Sequence, residues 1–359
     1  MGALGRTGKS LARVAIRLLG LLGGLRCLER LADRLEPLPR RNRSVPMLPV
    51  RRRRRAGLQI LMYHRVGKRD DAFLPVTELE VFRRQMACLA DCRRIYPLDE
   101  AVEALAEGRL EDGAVAVTFD DGYRDNYLHA FPVLRDHGLC ATIFLATGYV
   151  GTGRILWHDR VFRAFHSARR ERLEGFGPGG ETLVWHNERQ KREACLLALR
   201  TIRGLTTEAR DHRMAVLEER LDATPEGPDD RLMLDWPEVR EMHAHGIRFG
   251  SHTVNHPILA KIPLAQARRE LTESRSAIRS ELGGDVSSFA YPNGQPGDFN
   301  ETTRCLLRET GYRCAVTTVL GVNAPGEGNA DPYALRREAP WERDVAMFRF
   351  RLAVHRFRG

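Results

Sequence analysis

The sequence has no long hydrophobic run. The apolar stretch of the N-terminal region, Leu18 to Leu25, holds eight residues between Arg17 and Arg26, against the roughly twenty that a membrane-spanning helix requires. Cysteine is sparse and irregular. The seven residues stand at positions 27, 88, 92, 140, 195, 305 and 314, and no two have C-x-x-C spacing, which removes zinc knuckles and dithiol redox motifs and points to reduced thiols in a core. Acidic residues are nearly missing from positions 1–56, where Glu29, Asp33 and Glu36 face fifteen Lys or Arg, a local charge of +12. The whole chain carries +10, which leaves −2 for residues 57–359 by subtraction. The basic character therefore belongs to the tail and argues for an anionic surface met there. Residues 57–359 carry no net positive charge, which speaks against a nucleic-acid partner.

Two motif-like strings in the tail fail on inspection. "GRTGKS" (Gly5 to Ser10) lacks the first glycine of a phosphate-binding loop, since Ala3 stands there, and no strand precedes it. Gly2 would suit N-myristoylation, but Arg6 stands where Ser or Thr is needed. What remains is a helical wheel with Arg6, Lys9, Arg13 and Arg17 on one side and Leu11, Val14, Ala15, Leu18, Leu22 and Leu25 on the other, the pattern of a helix lying on a membrane surface. Packing on the folded domain, a short secretory h-region and a start at Met47 are the alternatives. The cytoplasmic side, peripheral at the inner membrane, is the expected location, with export left open. Pro and Arg dominate the stretch up to Ala56, which reads as a linker closing a tail of residues 1–56.

From Gly57 on, apolar strand-like runs alternate with amphipathic helical stretches: "LQILMYHRV", "VFRRQMACLADC", "LDEAVEALAEG", "AVAVTF", "ATIFLAT". A mostly helical stretch at about 151–231 breaks the rhythm, which resumes through "IRFGSH", "SSFAYPNG" and "YRCAVTT". Strands alternating with helices imply a mainly parallel sheet, and this many repeats imply an α/β fold closed into a (β/α) barrel over residues 57–345. Residues 346–359 form an Arg-rich C-terminal segment.

One strand ends unusually. "AVAVTFDDGYRDN" (Ala114 to Asn126) runs from small and β-branched apolar residues into two adjacent carboxylates. Successive strand side chains point to opposite sides, so Asp120 and Asp121 take different roles unless the chain turns, which Gly122 permits. Two acids at a buried strand end also repel each other and demand a cation. Other strand ends are polar too: Tyr63 and His64, "SHTVNHP" (Ser251 to Pro257), and Tyr291 to Gly294. Strand C-terminal ends face a common site in such barrels. His252 and His256, four apart, share a side if the segment turns helically, and one Asp with two His leaves open positions for water and substrate on a divalent ion.

"TFDDG" followed by "SHTVNHP" resembles the polysaccharide deacetylase family, carbohydrate esterase family 4, whose domain is also called NodB-homology. The resemblance covers roughly residues 58–338. It implies an irregular (β/α) barrel and metal-dependent removal of N-acetyl groups from an N-acetylhexosamine-containing glycan in envelope or exopolysaccharide metabolism. It further implies that Asp120 is the general base and that Asp121, His252 and His256 hold the metal, zinc on ligand type, with cobalt, nickel or iron suited to the same ligands. An R-x-P-Y motif that supplies a backbone oxyanion donor corresponds to "FAYPNG", which makes Tyr291 and the N–H of Asn293 the oxyanion and substrate candidates.

There the pattern changes. The Arg that orients the base is Ala290 in this chain, leaving Arg336 or Arg337 of "YALRRE" to replace it. The family's C-terminal acid histidine has only His355 of "LAVH" as a counterpart. "LMYHRV" is similar to the opening strand of the poly-N-acetylglucosamine deacetylase branch, a permuted barrel in which this histidine serves as the acid, and His64 is therefore the expected one. Asp125 and Asn126 either touch sugar hydroxyls or cap the next helix. Trp157, His158 and Asp159 open the insertion as a wall of the cleft or as packing, and Trp236 reads as core. The contrasting reading is a barrel that has lost activity and binds sugar or serves assembly.

Overall fold

A computed structural model describes residues 57–67, 76–223, 231–324 and 331–355. The tail with its amphipathic pattern lies outside the described residues, as does the side chain of His355. Seven parallel strands carry the fold: β1 (Gln59–Tyr63), β2 (Ala114–Phe119), β3 (Thr142–Leu145), β4 (Arg248–Ser251), β5 (Ser288–Ala290), β6 (Cys314–Leu320) and β7 (Leu335–Arg337). They pair in that order, and the short strand Arg94–Ile95 adds to β2. The ring closes because Glu338, just past β7, exchanges backbone hydrogen bonds with β1: Met62 N–H to Glu338 O and Glu338 N–H to Ile60 O, both 2.8 Å.

Alternation of side chains divides two cores. Ile60, Ala116, Phe144, Ala290, Val316 and Leu335 fill the lumen. Their chain neighbours Leu61, Val117, Ile143, Phe289 and Ala315 face outward under helices such as Leu79–Cys92 and Leu264–Leu282. Gly250 marks the tightest point of the lumen, where a Cβ would meet the Phe144 ring at 2.6 Å. The barrel is irregular, as the resemblance implied: β4 and β5 pair at one position, Ser251 with Phe289, and the β6–β7 register shifts between Val316 and Leu320.

The insertion is a body of its own. Helices Trp157–His166, Glu188–Arg203 and Thr207–Leu221 close around Trp157, Phe165, Phe176, Trp185, Met214 and Leu217. Trp157 is thus packing, and Trp236 lies partly buried against the barrel core. Two of the elements that escaped the sequence reading bear on the barrel's end. Three-residue β7 is too short to show a pattern, and the segment read as an Arg-rich terminus begins as helix Val345–His355, which buries Phe348 and Leu352.

Candidate metal centre and catalytic site

The two acids at the end of β2 separate as strand geometry requires. Asp120 keeps the lumen-facing parity of Ala116 and Thr118, and its N–H donates to Tyr63 O at 3.0 Å. Asp121 then adopts a left-handed backbone, φ 75°, a conformation that costs a non-glycine residue about 1–2 kcal/mol. Gly122 follows with φ 81° and would place a Cβ 2.8 Å from Leu145. The turn swings the second carboxylate out of the lumen and toward the end of β4.

Asp121 there meets both histidines. Its Oδ1 lies 3.4 Å from His252 Nε2 and 3.3 Å from His256 Nε2, and the two Nε2 atoms are 3.1 Å apart. The spacing of four does not work through a helix, as the sequence suggested. Thr253 (φ 69°) and His256 (φ 55°) are left-handed instead, and the resulting loop is braced from helix Leu264–Leu282. Buried Glu270 accepts from the N–H groups of Val254 and Asn255 at 2.8 and 2.9 Å. His252 Nδ1 bonds Ala290 O at 2.7 Å, which fixes the ring and turns Nε2 to the centre.

The three donors fit a divalent ion. Tetrahedral ligands at about 2.0–2.1 Å from a metal lie about 3.3 Å from one another, and these three lie 3.1–3.4 Å apart. Asp121 Oδ1 is buried without a hydrogen-bond donor, and two facing imidazole nitrogens repel unless a cation or proton sits between them. Burial pushes the Asp121 carboxyl up, but the adjacent His252 and His256 rings outweigh it and hold the group well below the usual range. Burial also pushes His256 down, to about 4, which keeps its ring neutral and able to coordinate. His252 is moved the other way overall: burial lowers it, yet Asp121 and Asp120 raise it more.

Asp120 has a different partner. Arg337, fully buried in the lumen, donates from Nη1 to Oδ1 at 2.7 Å and from Nη2 to Oδ2 at 2.6 Å, while its Nε donates to Thr317 O at 2.7 Å. Between the two arginines the sequence left open, the structure selects Arg337. Burial raises the Asp120 carboxyl, and the guanidinium reverses this and holds it below its ordinary value, so Asp120 is a carboxylate at neutral pH. His64 stands next to it, Nε2 3.9 Å from Asp120 Oδ2, with its side chain 45% exposed.

The remaining candidates scatter. Tyr291 leaves the site: its ring stacks on Phe299 at 4.4 Å and its hydroxyl donates to Tyr333 O at 2.9 Å, so β5 parity sends the side chain into the outer core. Asn293 keeps a left-handed backbone, φ 63°, and its buried Nδ2 has no acceptor. Asp125 stands at the N-cap of the short helix Asn126–Ala130 but gives it no side-chain capping hydrogen bond. It accepts from Arg65 Nε at 2.8 Å and Val66 N–H at 3.1 Å, and Asn126 donates to His64 O at 2.8 Å, so the pair ties the end of β1 in place. His158 reaches further inward than the sequence implied, with Nε2 3.8 Å from Asp121 Oδ2.

A barrel of parallel strands with an Asp-His-His cluster and an arginine-held carboxylate at their C-terminal ends is the architecture of a hydrolase centre. Residues 107–315 match the model of the polysaccharide deacetylase family. The chain belongs to that family and is a polysaccharide deacetylase enzyme. The Bacillus subtilis (strain 168) protein YxkH, which bears a polysaccharide deacetylase name, is 24% identical over 284 residues, 79% of this chain and 71% of its own. Among solved structures, the Streptococcus pyogenes deacetylase PplD in complex with acetate aligns at TM-score 0.53 and 20% identity, over 79% of this chain and 92% of that one. IcaB from Ammonifex degensii aligns at TM-score 0.51 and 23% identity, over 82% and 97%. At these identities the structural likeness concerns the fold.

Proposed function

We propose that the protein is a metal-dependent deacetylase that hydrolyses the N-acetyl group of an N-acetylhexosamine-containing glycan in envelope or exopolysaccharide metabolism. The observation that carries this reading is the convergence of Asp121, His252 and His256 on one point beside a carboxylate, Asp120, that is held ionised by a separate arginine. Asp121, His252 and His256 would hold a divalent ion there, zinc on ligand type, which would supply Lewis acidity toward the acetyl carbonyl and the attacking water. Asp120 takes the proton of the attacking water, and Arg337 fixes both of its oxygens, so the base is aimed and does not collapse onto the ligand set. The backbone N–H of Asn293 serves the developing oxyanion. His64, beside Asp120 and open to solvent, gives a proton to the leaving amine as the C–N bond breaks. Water and amide thus become acetate and a free amine.

The test separates the two acids. Asp120→Asn is expected to retain metal and lose roughly 10²–10⁴ in acetate release, the range for removing a general base. Asp121→Asn and His256→Ala are expected to lose metal and activity together. Acetate release from N-acetylated oligosaccharides and metal content of the purified protein are the measurements. Bound metal without turnover in the wild type would favour a sugar-binding barrel, and exchanged phenotypes of Asp120 and Asp121 would exchange their roles. The charge pattern of residues 6–25 supports peripheral contact with the cytoplasmic face of the inner membrane, tested by salt-sensitive cosedimentation with anionic vesicles.

A further inference from the structure

One residue of the insertion reaches the centre. Helix Trp157–His166 sets His158 beside Asp121, with Nε2 3.8 Å from Oδ2 and the ring centroid 5.6 Å from that of His256. The two oxygens of Asp121 therefore face different neighbours: Oδ1 meets the paired imidazoles and Oδ2 meets His158. His158 stands outside the converging donor cluster. It borders the metal position without belonging to it.

Its ring is held by two buried groups. The Tyr123 hydroxyl lies 2.9 Å from His158 Nε2 and 2.9 Å from Asp159 Oδ2, and both Tyr123 and Asp159 are 2% exposed. A phenol has a single proton to give. Donated to Asp159, that proton satisfies a buried carboxylate, and the phenol oxygen is then free to accept from His158 Nε2–H. The acceptor nitrogen of the neutral ring is in consequence Nδ1. It has no hydrogen bond among the described residues and is not one of the buried unpartnered atoms, so it is not fully buried. The backbone reinforces the arrangement. Arg124 N–H donates to Leu232 O at 2.8 Å and Leu234 N–H to Gly122 O at 3.0 Å, so the returning end of the insertion is stitched to the segment directly after the two acids. Packing does not need this: Trp157, Val161 and Phe165 already give the helix its apolar face.

We propose that His158 is a substrate-positioning residue whose Nδ1 accepts a hydrogen bond from a hydroxyl of the N-acetylated sugar bound beside Asp121, with Tyr123 and Asp159 fixing its ring. The inference rests on the deacetylase reading above. It makes the insertion part of the active centre.

The zinc-loaded Asp120→Asn protein, which keeps the site but not the base, is the background for measuring binding of an N-acetylglucosamine pentamer by calorimetry. Adding His158→Phe removes the acceptor and keeps the bulk, and is expected to weaken pentamer binding about tenfold, the scale of one hydrogen bond. His158→Gln, which restores an acceptor, recovers part of the loss, and Tyr123→Phe loses about threefold because the ring stays but is no longer fixed. Zinc affinity, titrated separately, stays within about threefold in all three. In the active protein the same changes raise KM more than they lower kcat. Unaltered pentamer affinity in His158→Phe overturns the inference, and so does a tenfold or larger fall in its zinc affinity, which would move His158 into the ligand set. No pentamer binding by the Asp120→Asn background, together with no acetate release by the wild type, overturns the deacetylase reading and this inference with it.

Discussion

The barrel and the insertion solve the same problem, how to place polar groups at a buried point, by opposite means. In the barrel, strand parity and left-handed turns do the placing. Arg337 reaches Asp120 from 217 positions away because both sit at lumen positions of a closed ring. In the insertion, an independent hydrophobic body carries one helix start to the barrel mouth, and a few polar contacts define the seam: Tyr123 with His158 and Asp159, Arg203 with Asp298 at 2.6 Å, and the pairing of Leu232–Leu234 with Gly122–Arg124. Groups fixed by the barrel should therefore resist change until the fold itself is damaged. Groups fixed by the insertion should respond to repacking at a distance.

The largest effect is expected inside the barrel. Arg337→Met leaves Asp120 buried without its cation, which should cost about 3–5 kcal/mol of stability and a fall in turnover of roughly 10²–10⁴ as the base loses its aim. The pH dependence should change sign as well. In the wild type the lowered carboxyl contributes stability that is present above the ordinary carboxylate range and lost on acidification through its folded value. In Arg337→Met burial is opposed only by the weaker pulls of His252 and His64, so the carboxyl rises and acidification should stabilise; chemical denaturation across the acidic range reads both.

In the insertion, Trp185 packs on Phe165 with ring centroids 5.4 Å apart and is 3% exposed. Trp185→Ala should remove about 3–5 kcal/mol, read by hydrogen exchange as lost protection over residues 157–221 with the barrel strands unchanged. Equal loss in both bodies would show that they unfold as one.

His64→Ala is expected to keep its metal and lose about 10²-fold in turnover, with the alkaline limb of the pH–rate profile flattened. A profile like that of the wild type would pass the acid's role elsewhere. The smallest effect should come from the seam. Arg203 is 38% exposed in its pair with Asp298, and Arg203→Ala should change stability by less than about 1 kcal/mol while altering KM through the adjoining Asn293 loop.

The sequence revealed what repeats or clusters and concealed what is assembled. Alternating apolar runs disclosed the barrel, and the adjacent acids with two spaced histidines disclosed the centre, because both signals are local. Arg337 was visible only as one of two adjacent arginines, since its role depends on which neighbour faces the lumen, and a three-residue strand shows no periodicity. Tyr291 and Asp125 were misplaced for a related reason: a polar residue next to a strand end faces either way, and only the register decides. The two histidines do stand side by side, but not through the helical turn that their spacing suggested. Spacing alone does not distinguish a helical turn from two left-handed residues. His158 was visible only as one of three residues opening the insertion, since its place beside Asp121 depends on how the insertion docks.

Closure of the ring between Ile60–Met62 and Glu338 also fixes when the enzyme comes into being. His64 follows the first strand and Arg337 ends the last, so Asp120 is without its cation until almost the whole barrel has been made. A chain leaving the ribosome carries the Asp120–Asp121 pair long before it carries the arginine that makes burial of Asp120 tolerable. The centre is thereby a late event in folding, dominated by contacts of high sequence separation and slow for that reason, and a chain halted before β7 holds Asp121, His252 and His256 without the arginine that pairs with Asp120.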